Sequence, residues 1–193
     1  MRYAKGHKEA ARKRIVSAAA KRLRRDGLEP VGIVELMKAA GLTHGGFYFH
    51  FDSKNDLIRA AVADSFGESN ARNERLLKGK GLEALVRHYL SPRKRDTPED
   101  SCVAAALAAE IARKSVAIRR PFMKELDRFI DLIGASLPSG DKATRRRTAT
   151  GVFAVMMGAL QLARAEPNPA RSQEILDSGI EAALRLGRGP CDS

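Results

Sequence analysis

Residues 41–54 hold the most closely spaced polar and aromatic chemistry in the chain, in the run GLTHGGFYFHFDSK. Two glycines precede five successive rings, counting the imidazole of His50, and Ser53 and Lys54 follow. Glycine is a poor helix former, but its missing side chain lets the backbone approach a partner closely. Phenol, imidazole and ammonium groups can donate hydrogen bonds to phosphate oxygens. The composition therefore indicates a contact surface for phosphates rather than selection for helix stability alone.

The positive charge of the chain is concentrated near its N-terminus. The 193 residues contain 35 Lys and Arg against 23 Asp and Glu, a net charge of +12. Residues 1–54 hold 12 of these cations and only 5 of the acids. This distribution predicts a polyanionic partner for the N-terminal part, with residues 12–14 and 24–25 contacting phosphates without sequence preference.

Several other classes of function find no support in the sequence. Cys102 and Cys191 have no thiol or imidazole at metal-ligand spacing, and there is no glycine-rich phosphate loop or nucleophile elbow. The longest apolar run, residues 151–160, is too short to span a bilayer, and the basic N-terminus lacks the apolar region of a signal peptide. We expect no catalytic residue, no metal, no cofactor and no membrane partner, in a cytoplasmic, nucleoid-associated protein.

Helical periodicity runs through the sequence, whereas period-two strand patterns are nearly absent. Glycines, prolines and capping residues divide the chain into about nine predicted helices. Their expected ranges are 7–26, 33–40, 43–51, 54–77, 81–90, 100–114, 116–137, Asp141–Ala165 and Ala170–Leu186. The prolines within residues 92–98 are expected to interrupt the helices. The predicted fold class is all-α.

The predicted helices 33–40 and 43–51 are joined by a tight turn at Gly41 and preceded by a basic helix. This is the pattern of a helix-turn-helix, whose second helix enters the DNA major groove with its N-terminal end. Phe47 and Phe51 lie four apart and are predicted to pack inward. The remaining polar, small and aromatic side chains of this region are predicted to contact DNA: Thr43, His44, Gly45, Gly46, Tyr48, Phe49, His50 and Lys54.

The run GLTHGGFYFHFDSKNDLIRAAV, preceded by GIVELMKAA, closely resembles the DNA-binding domain of the TetR family of bacterial transcriptional repressors. The resemblance is specific across residues 8–65. The positions on the family pattern are Gly41, Thr43, Gly45, Phe47, Tyr48, Phe51, Ser53 and Lys54. The family often has histidine directly after the tyrosine, whereas here Phe49 takes that place and His50 follows.

Charge density falls at the start of the fourth predicted helix, which places a domain boundary there. Residues 1–56 are expected to form an N-terminal three-helix helix-turn-helix domain. The resemblance implies that residues 57–193 form a larger helical domain that binds a small-molecule effector and dimerises. Candidate effector contacts are Cys102, Phe122, Phe129 and Met156.

Gly151 and Gly158 lie seven apart on one helix face, which suits close approach of a second helix. With the resemblance, this spacing favours a homodimer through the last two helices, Asp141–Ala165 and Ala170–Leu186, although an intramolecular contact would give the same pattern. Cys102 lies near a helix start, where a thiol is either an inert buried group or a redox or electrophile sensor.

The predicted function is a DNA-binding transcriptional regulator, a repressor released from a palindromic double-stranded DNA operator by a small-molecule effector. Two alternatives from other classes stay open at this point. One is a helical enzyme of unknown reaction that uses His88 or Cys102. The other is a non-specific basic DNA-binding protein without an effector.

Overall fold

The computed structural model describes residues 2–29, 31–138 and 140–188, and this part of the chain is helical without any strand. It contains nine α-helices. They are α1 Arg2–Asp26, α2 Ile33–Ala39, α3 Phe47–His50, α4 Lys54–Tyr89, α5 Pro92–Asp96, α6 Val103–Ile111, α7 Val116–Ala135, α8 Lys142–Ala165 and α9 Pro169–Arg188. The prediction of an all-α fold with about nine helices is confirmed.

The first three helices surround a small apolar core to which α3 contributes its rings. Phe47 and Phe51 are buried, as their spacing predicts, and they pack among Ile15 and Leu23 of α1 and Leu36 of α2 in one hydrophobic cluster. Gly41 has φ of 69°, a left-handed conformation that permits the sharp turn after α2. The inward rings therefore fix α3 against α1 and α2.

The predicted single helix over 43–51 is wrong in its details. His44–Gly46 form one turn of 3₁₀ helix, and the α-helix spans only Phe47–His50. Thr43 occupies the N-cap position, but its side chain accepts no capping hydrogen bond. The glycine pair lowers helix propensity, and the extended backbone of Phe51 (φ −143°, ψ 137°) ends the helix. The result is a short element with an exposed glycine turn at its front.

Helix α4 is longer than predicted because two expected helices, 54–77 and 81–90, meet without a loop. Ser53 caps it as predicted, since its Oγ accepts a hydrogen bond from the Asp56 amide at 3.2 Å. The single interruption within its 36 residues is Gly81, with φ of 76° and ψ of −175°. The helix thus runs from the edge of the helix-turn-helix deep into the C-terminal helices.

The expected interruption over residues 92–98 contains the short helix α5 instead. Pro92 lies in its first turn, where a missing N–H costs no hydrogen bond, and Ser91 Oγ accepts from the Lys94 amide at 3.4 Å. Pro98–Asp100 then form a 3₁₀ turn, so α6 begins at Val103 rather than at Asp100.

The C-terminal helices α4 and α6 to α9 complete a hydrophobic core that is continuous with that of the first three helices. Helices α8 and α9 approach closely at Gly179, where an added β-carbon would overlap Ala159 and lie 3.1 Å from Leu90 Cδ1. Gly179 is therefore required by packing inside the subunit. None of the helices within the described ranges combines the length and apolar character needed to cross a membrane.

Three polar links join the first helices to the turn before α6 and to its C-terminal end. The Leu28 amide donates to Glu110 Oε2 at 2.8 Å, and Arg24 Nε donates to the Glu99 carbonyl at 2.6 Å. Lys114 pairs with Glu29. Because Leu28 and Glu29 lie in the loop between α1 and α2, the position of α6 and the position of the helix-turn-helix are mechanically connected.

Candidate nucleic-acid interface

Helix α3 divides its aromatic side chains between the core and solvent. Phe47 and Phe51 are buried, whereas Tyr48 and Phe49 are 67% and 64% exposed. The Tyr48 hydroxyl forms no hydrogen bond within the described part of the chain. Tyr48 and Phe49 thus place two large rings in solvent on a helix whose other rings are packed in the core. Such an exposed aromatic patch is typical of a binding surface.

The glycines before α3 are not required by the subunit itself. A β-carbon on Gly45 would meet no atom within 4 Å, and one on Gly46 would make only an ordinary contact with Met37 Cε at 3.6 Å. Neither has a positive φ. Thr43, His44 and Gly45 are exposed. No contact within the described part of the subunit therefore requires glycine at position 45.

Two cations of α1 lie against the rings of this segment. Lys8 Nζ is 4.0 Å from the centroid of the Phe49 ring, and the Arg12 guanidinium is 4.7 Å from that of Phe51. Neither forms an ion pair within the described residues. Sequence reasoning missed Lys8, although its spacing of four from Arg12 places both on one helix face. The exposed rings are thus flanked by positive charge.

The other basic residues of α1 fall into two groups. Lys13 and Arg14 are exposed, and their contact with phosphates stays a prediction. Arg24 and Arg25 are engaged within the subunit instead: Arg24 bonds Glu99 and Arg25 pairs with Asp26 at 2.7 Å. The cations seen against the rings, Lys8 and Arg12, come from the N-terminal half of α1.

His50 is half-buried, and its Nδ1 is buried without a hydrogen-bond partner. Burial lowers the pKa of His50, and the nearby charges of Lys8 and Arg12 lower it further. The imidazole is therefore neutral at neutral pH in the isolated subunit. A nearby phosphate would favour the protonated imidazole, so His50 would become charged only when DNA is bound. The contact between His50 and DNA stays a prediction.

Lys54 lies in the first turn of α4 and is half-buried. Its Nζ is 3.4 Å from the backbone carbonyl of Glu29, a long hydrogen bond that a stronger acceptor can replace. The ammonium is thus held near the loop between α1 and α2. Tyr48 and Phe49, with Lys8 and Arg12 of α1, form what we call the aromatic-cationic surface.

The four effector candidates occupy different places. Phe122 lines an apolar groove of about 960 Å³ between α6, α7 and α8. Cys102 and Phe129 line a separate small cavity beneath α4 and α5. Met156 is fully buried and lines neither. The residues that line the groove include Ala104, Ala108, Leu126, Phe153, Ala154 and Met157.

The described residues contain no group of three His, Cys, Asp or Glu side chains that could hold a metal ion. Cys102 is half-buried at the N-cap of α6, beside Ser101 rather than in purely apolar surroundings. Cys191 lies outside the described residues.

Comparison with known proteins identifies the N-terminal region. Residues 15–61 match the model of the family described as bacterial regulatory proteins, tetR family. This match includes the C-terminal half of α1, then α2, the turn at Gly41, α3 and the start of α4. No relative is found among curated protein sequences.

Solved structures share the whole helical architecture at low sequence identity. The reduced form of NemR from E. coli aligns with a TM-score of 0.75 and 21% identity over 91% of this chain and 96% of that chain. SCO4454, a TetR-family transcriptional regulator from Streptomyces coelicolor, aligns with a TM-score of 0.72 and 21% identity over 92% and 96%. FadR from Bacillus subtilis, in complex with stearoyl-CoA, aligns with a TM-score of 0.68 and 14% identity over 93% and 99%.

The family model and the exposed glycine-aromatic element coincide in the same residues, and the rest of the fold is the one that these regulators adopt. Residues 15–61 therefore match the tetR family of bacterial regulatory proteins, and the chain as a whole has the fold of solved TetR-family transcriptional regulators.

Proposed function

We propose that the protein is a homodimeric repressor whose two helix-turn-helix units bind a palindromic operator in double-stranded DNA. The observation that carries this proposal is the aromatic-cationic surface beside a glycine that no contact inside the subunit requires. Residues 1–56 would bind DNA and residues 57–193 would bind the effector and the second subunit. Such a regulator acts in the cytoplasm at the nucleoid and needs no catalytic residue.

The length of the exposed element suits insertion of one short helix into one major groove. His44–His50 span roughly 10 Å at about 1.5 Å per residue, against a groove about 12 Å wide. Gly45 lets the backbone approach base edges and phosphates, while Lys8, Arg12 and Lys54 supply charge for the flanking phosphates. In a dimer the two elements must lie about 34–36 Å apart, or a multiple of this, to enter successive major grooves.

Selection of bound fragments from random duplex DNA tests this function. The expected result is one enriched palindrome, protected as a single short symmetric footprint in excess competitor DNA. The half-site spacing gives the separation of the two helix-turn-helix units directly. Uniform coating without an enriched site would show instead a non-specific basic DNA-binding protein.

Release from DNA is proposed to start in the apolar groove between α6, α7 and α8. The C-terminal end of α6 holds the loop between α1 and α2 through Glu110 with Leu28 and Lys114 with Glu29. A ligand that prefers a different position of α6 must, by linkage, weaken DNA binding. FadR, which shares this fold, is in complex with stearoyl-CoA, which supports a small-molecule site in these helices.

Filling the groove is expected to abolish binding of an apolar probe. Ala108 lines the groove, whereas its neighbour Ala109 is exposed and does not. Nile red fluorescence should increase on binding to the parent, and Ala108→Phe should weaken the affinity by about tenfold or more because the new ring occupies the site. Ala109→Phe, the same change on the same helix, should bind as the parent does. Equal affinities in all three proteins would show that the groove is not the site.

A further inference from the structure

Three buried polar side chains line one small cavity beneath α4, α5 and the start of α6. Asn70, Tyr89 and Ser101 are only 7%, 6% and 6% exposed. Asn70 Oδ1, the Tyr89 hydroxyl and Ser101 Oγ have no hydrogen-bond partner among the described residues. Asn70 Nδ2 already donates to the Glu125 carbonyl at 3.3 Å, which fixes the amide with its oxygen free. Buried polar groups are nearly always paired, so three in one cavity indicate a missing partner.

This inner cavity, of about 30 Å³, shares six lining residues with an adjacent outer cavity of about 370 Å³. The volume of the outer cavity alone is within the range of small-molecule sites, which begins at about 300 Å³. The outer part lies between α1, α4 and α5, away from the apolar groove. The residues common to both cavities are Ser69, Arg72, His88, Lys94, Asp100 and Ser101.

The walls of the outer cavity carry an excess of positive charge. Two carboxylates, Glu68 and Asp100, face five cationic side chains: Lys21, Arg24, Arg72, Arg93 and Lys94. None of the five forms a salt bridge within the described ranges of the chain. Such a cavity attracts anions, because field lines converge in a cleft lined by one sign of charge.

The pKa values of two side chains in the cavity wall, His88 and Lys94, are lowered. Burial lowers the pKa of His88, and the charges of Lys94, Arg72 and Arg93 lower it further. Burial also lowers the pKa of Lys94, with Arg72 as the next contribution. Burial is the main cause of both shifts and repulsion between neighbouring cations is the second, and a bound anion would oppose the second cause.

We propose that these adjoining cavities bind a small organic anion that carries a carboxylate or phosphate group and a hydroxyl. The acidic group would meet Arg72 and Lys94 and accept hydrogen bonds from the hydroxyls of Tyr89 and Ser101. The ligand hydroxyl would donate to Asn70 Oδ1, which can only accept. The site is distinct in place and in chemistry from the apolar groove.

The location of the cavity gives the anion a route to the helix-turn-helix. Arg24 of α1 lines it, and its guanidinium is held by the Glu99 carbonyl at 2.6 Å and by Ser65 Oγ of α4. An anion beside Arg24 competes with both acceptors and changes how α1 is attached to the C-terminal helices. This regulatory consequence rests on the proposed repressor function, whereas the binding site does not.

Isothermal titration calorimetry at constant ionic strength tests the site, with malate as the carboxylate probe and glycerol 3-phosphate as the phosphate probe. Saturable binding of at least one probe to the parent is expected, and which one binds identifies the acidic group. Arg72→Gln should weaken that binding by about tenfold or more. Arg75→Gln is the matched control, because Arg75 is also exposed on α4 but lines neither cavity. The site is overturned if neither probe binds, or if both variants weaken binding equally.

Tyr89→Phe removes only the buried hydroxyl and tests the inner cavity. Its melting temperature without ligand should be no lower than that of the parent, because the hydroxyl has no hydrogen-bond partner among the described residues. Binding of the same probe should weaken at least several-fold, and Ser101→Ala should act in the same direction. Parent-like affinity in both variants would overturn the proposed position of the acidic group.

The regulatory consequence is measured separately, by operator affinity with and without the saturating probe. A fall in affinity that Arg72→Gln abolishes supports the route through Arg24. Unchanged operator affinity in the presence of bound anion overturns that route and leaves the site in place. Failure of the parent to bind any DNA sequence would contradict the proposed function, while the calorimetry would still decide the anion site.

Discussion

Replacement of Gly45 by leucine is expected to lower operator affinity by about two to three orders of magnitude without destabilising the subunit. The subunit has room for the new side chain, because a β-carbon at this position meets no atom within 4 Å and the backbone has no positive φ. The leucine therefore projects from the exposed turn towards the proposed DNA. There it separates the aromatic-cationic surface from the groove, so that several contacts worth about 1–3 kcal/mol each are lost together.

The measurement is fluorescence anisotropy on the selected operator at fixed salt, with thermal unfolding of the same samples. Gly79→Leu is the matched control, because Gly79 is also exposed with no atom within 4 Å of an added β-carbon. Position 79 is about 37 Å along α4 from Lys54 at about 1.5 Å per residue. Operator affinity within twofold of the parent for Gly45→Leu would show that this turn does not face DNA.

The helix-turn-helix could be predicted from sequence because its signals are local. Gly41 marks the turn, Ser53 the N-cap of α4, and the spacing of Phe47 and Phe51 the buried face of α3. Each of these signals acts within four residues, so no knowledge of tertiary contacts was needed. The resemblance to the TetR family depended on the same residues.

The ends of the helices were less predictable, because packing decides between alternatives of similar local stability. A break was predicted between helices 54–77 and 81–90, yet α4 continues through it and only Gly81 departs from helical geometry, with a φ of 76°. Pro92 begins a helix rather than interrupting one, since Ser91 caps it. The glycine pair at 45–46 shortened α3 to a single turn.

The proposed ligand sites were beyond sequence reasoning for a different reason. Asn70 and Tyr89 lie in α4 before and after the interruption at Gly81, Ser101 lies in the turn before α6, and the three share no motif. Lys8 reaches Phe49 only because α1 packs beside α3. The apolar residues on α7 show which face of the helix is buried. They do not show that Phe122 borders a groove while other apolar residues of α7 pack in the core.

From the sequence, the face of α8 that contains Gly151 and Gly158 could pack either against a second subunit or within the same subunit. The structure treats the two glycines differently. A β-carbon added to Gly151 would lie 3.9 Å from Leu186 Cδ1, so α9 of the same subunit already packs against Gly151. Gly158 meets no atom within 4 Å and lies beside Leu162, which is 63% exposed. Gly179, by contrast, is fully explained by Ala159. The outer face of α8 around Gly158 and Leu162 is therefore where we expect the proposed second subunit to pack.

Leu162→Glu is expected to convert the proposed dimer to a monomer and to lower operator affinity by about three orders of magnitude. A two-fold axis places the substitution twice in the interface, so two carboxylates lose water without a partner. A monomer then binds one half-site and loses the gain of about 10²–10⁴ that joining two binding units gives. Sedimentation velocity gives the mass, and anisotropy on full and half operators gives the affinities. Val34→Glu, at a side chain 59% exposed on α2, introduces the same charge away from α8 and should leave the mass dimeric. A dimeric Leu162→Glu protein would place the interface elsewhere than α8.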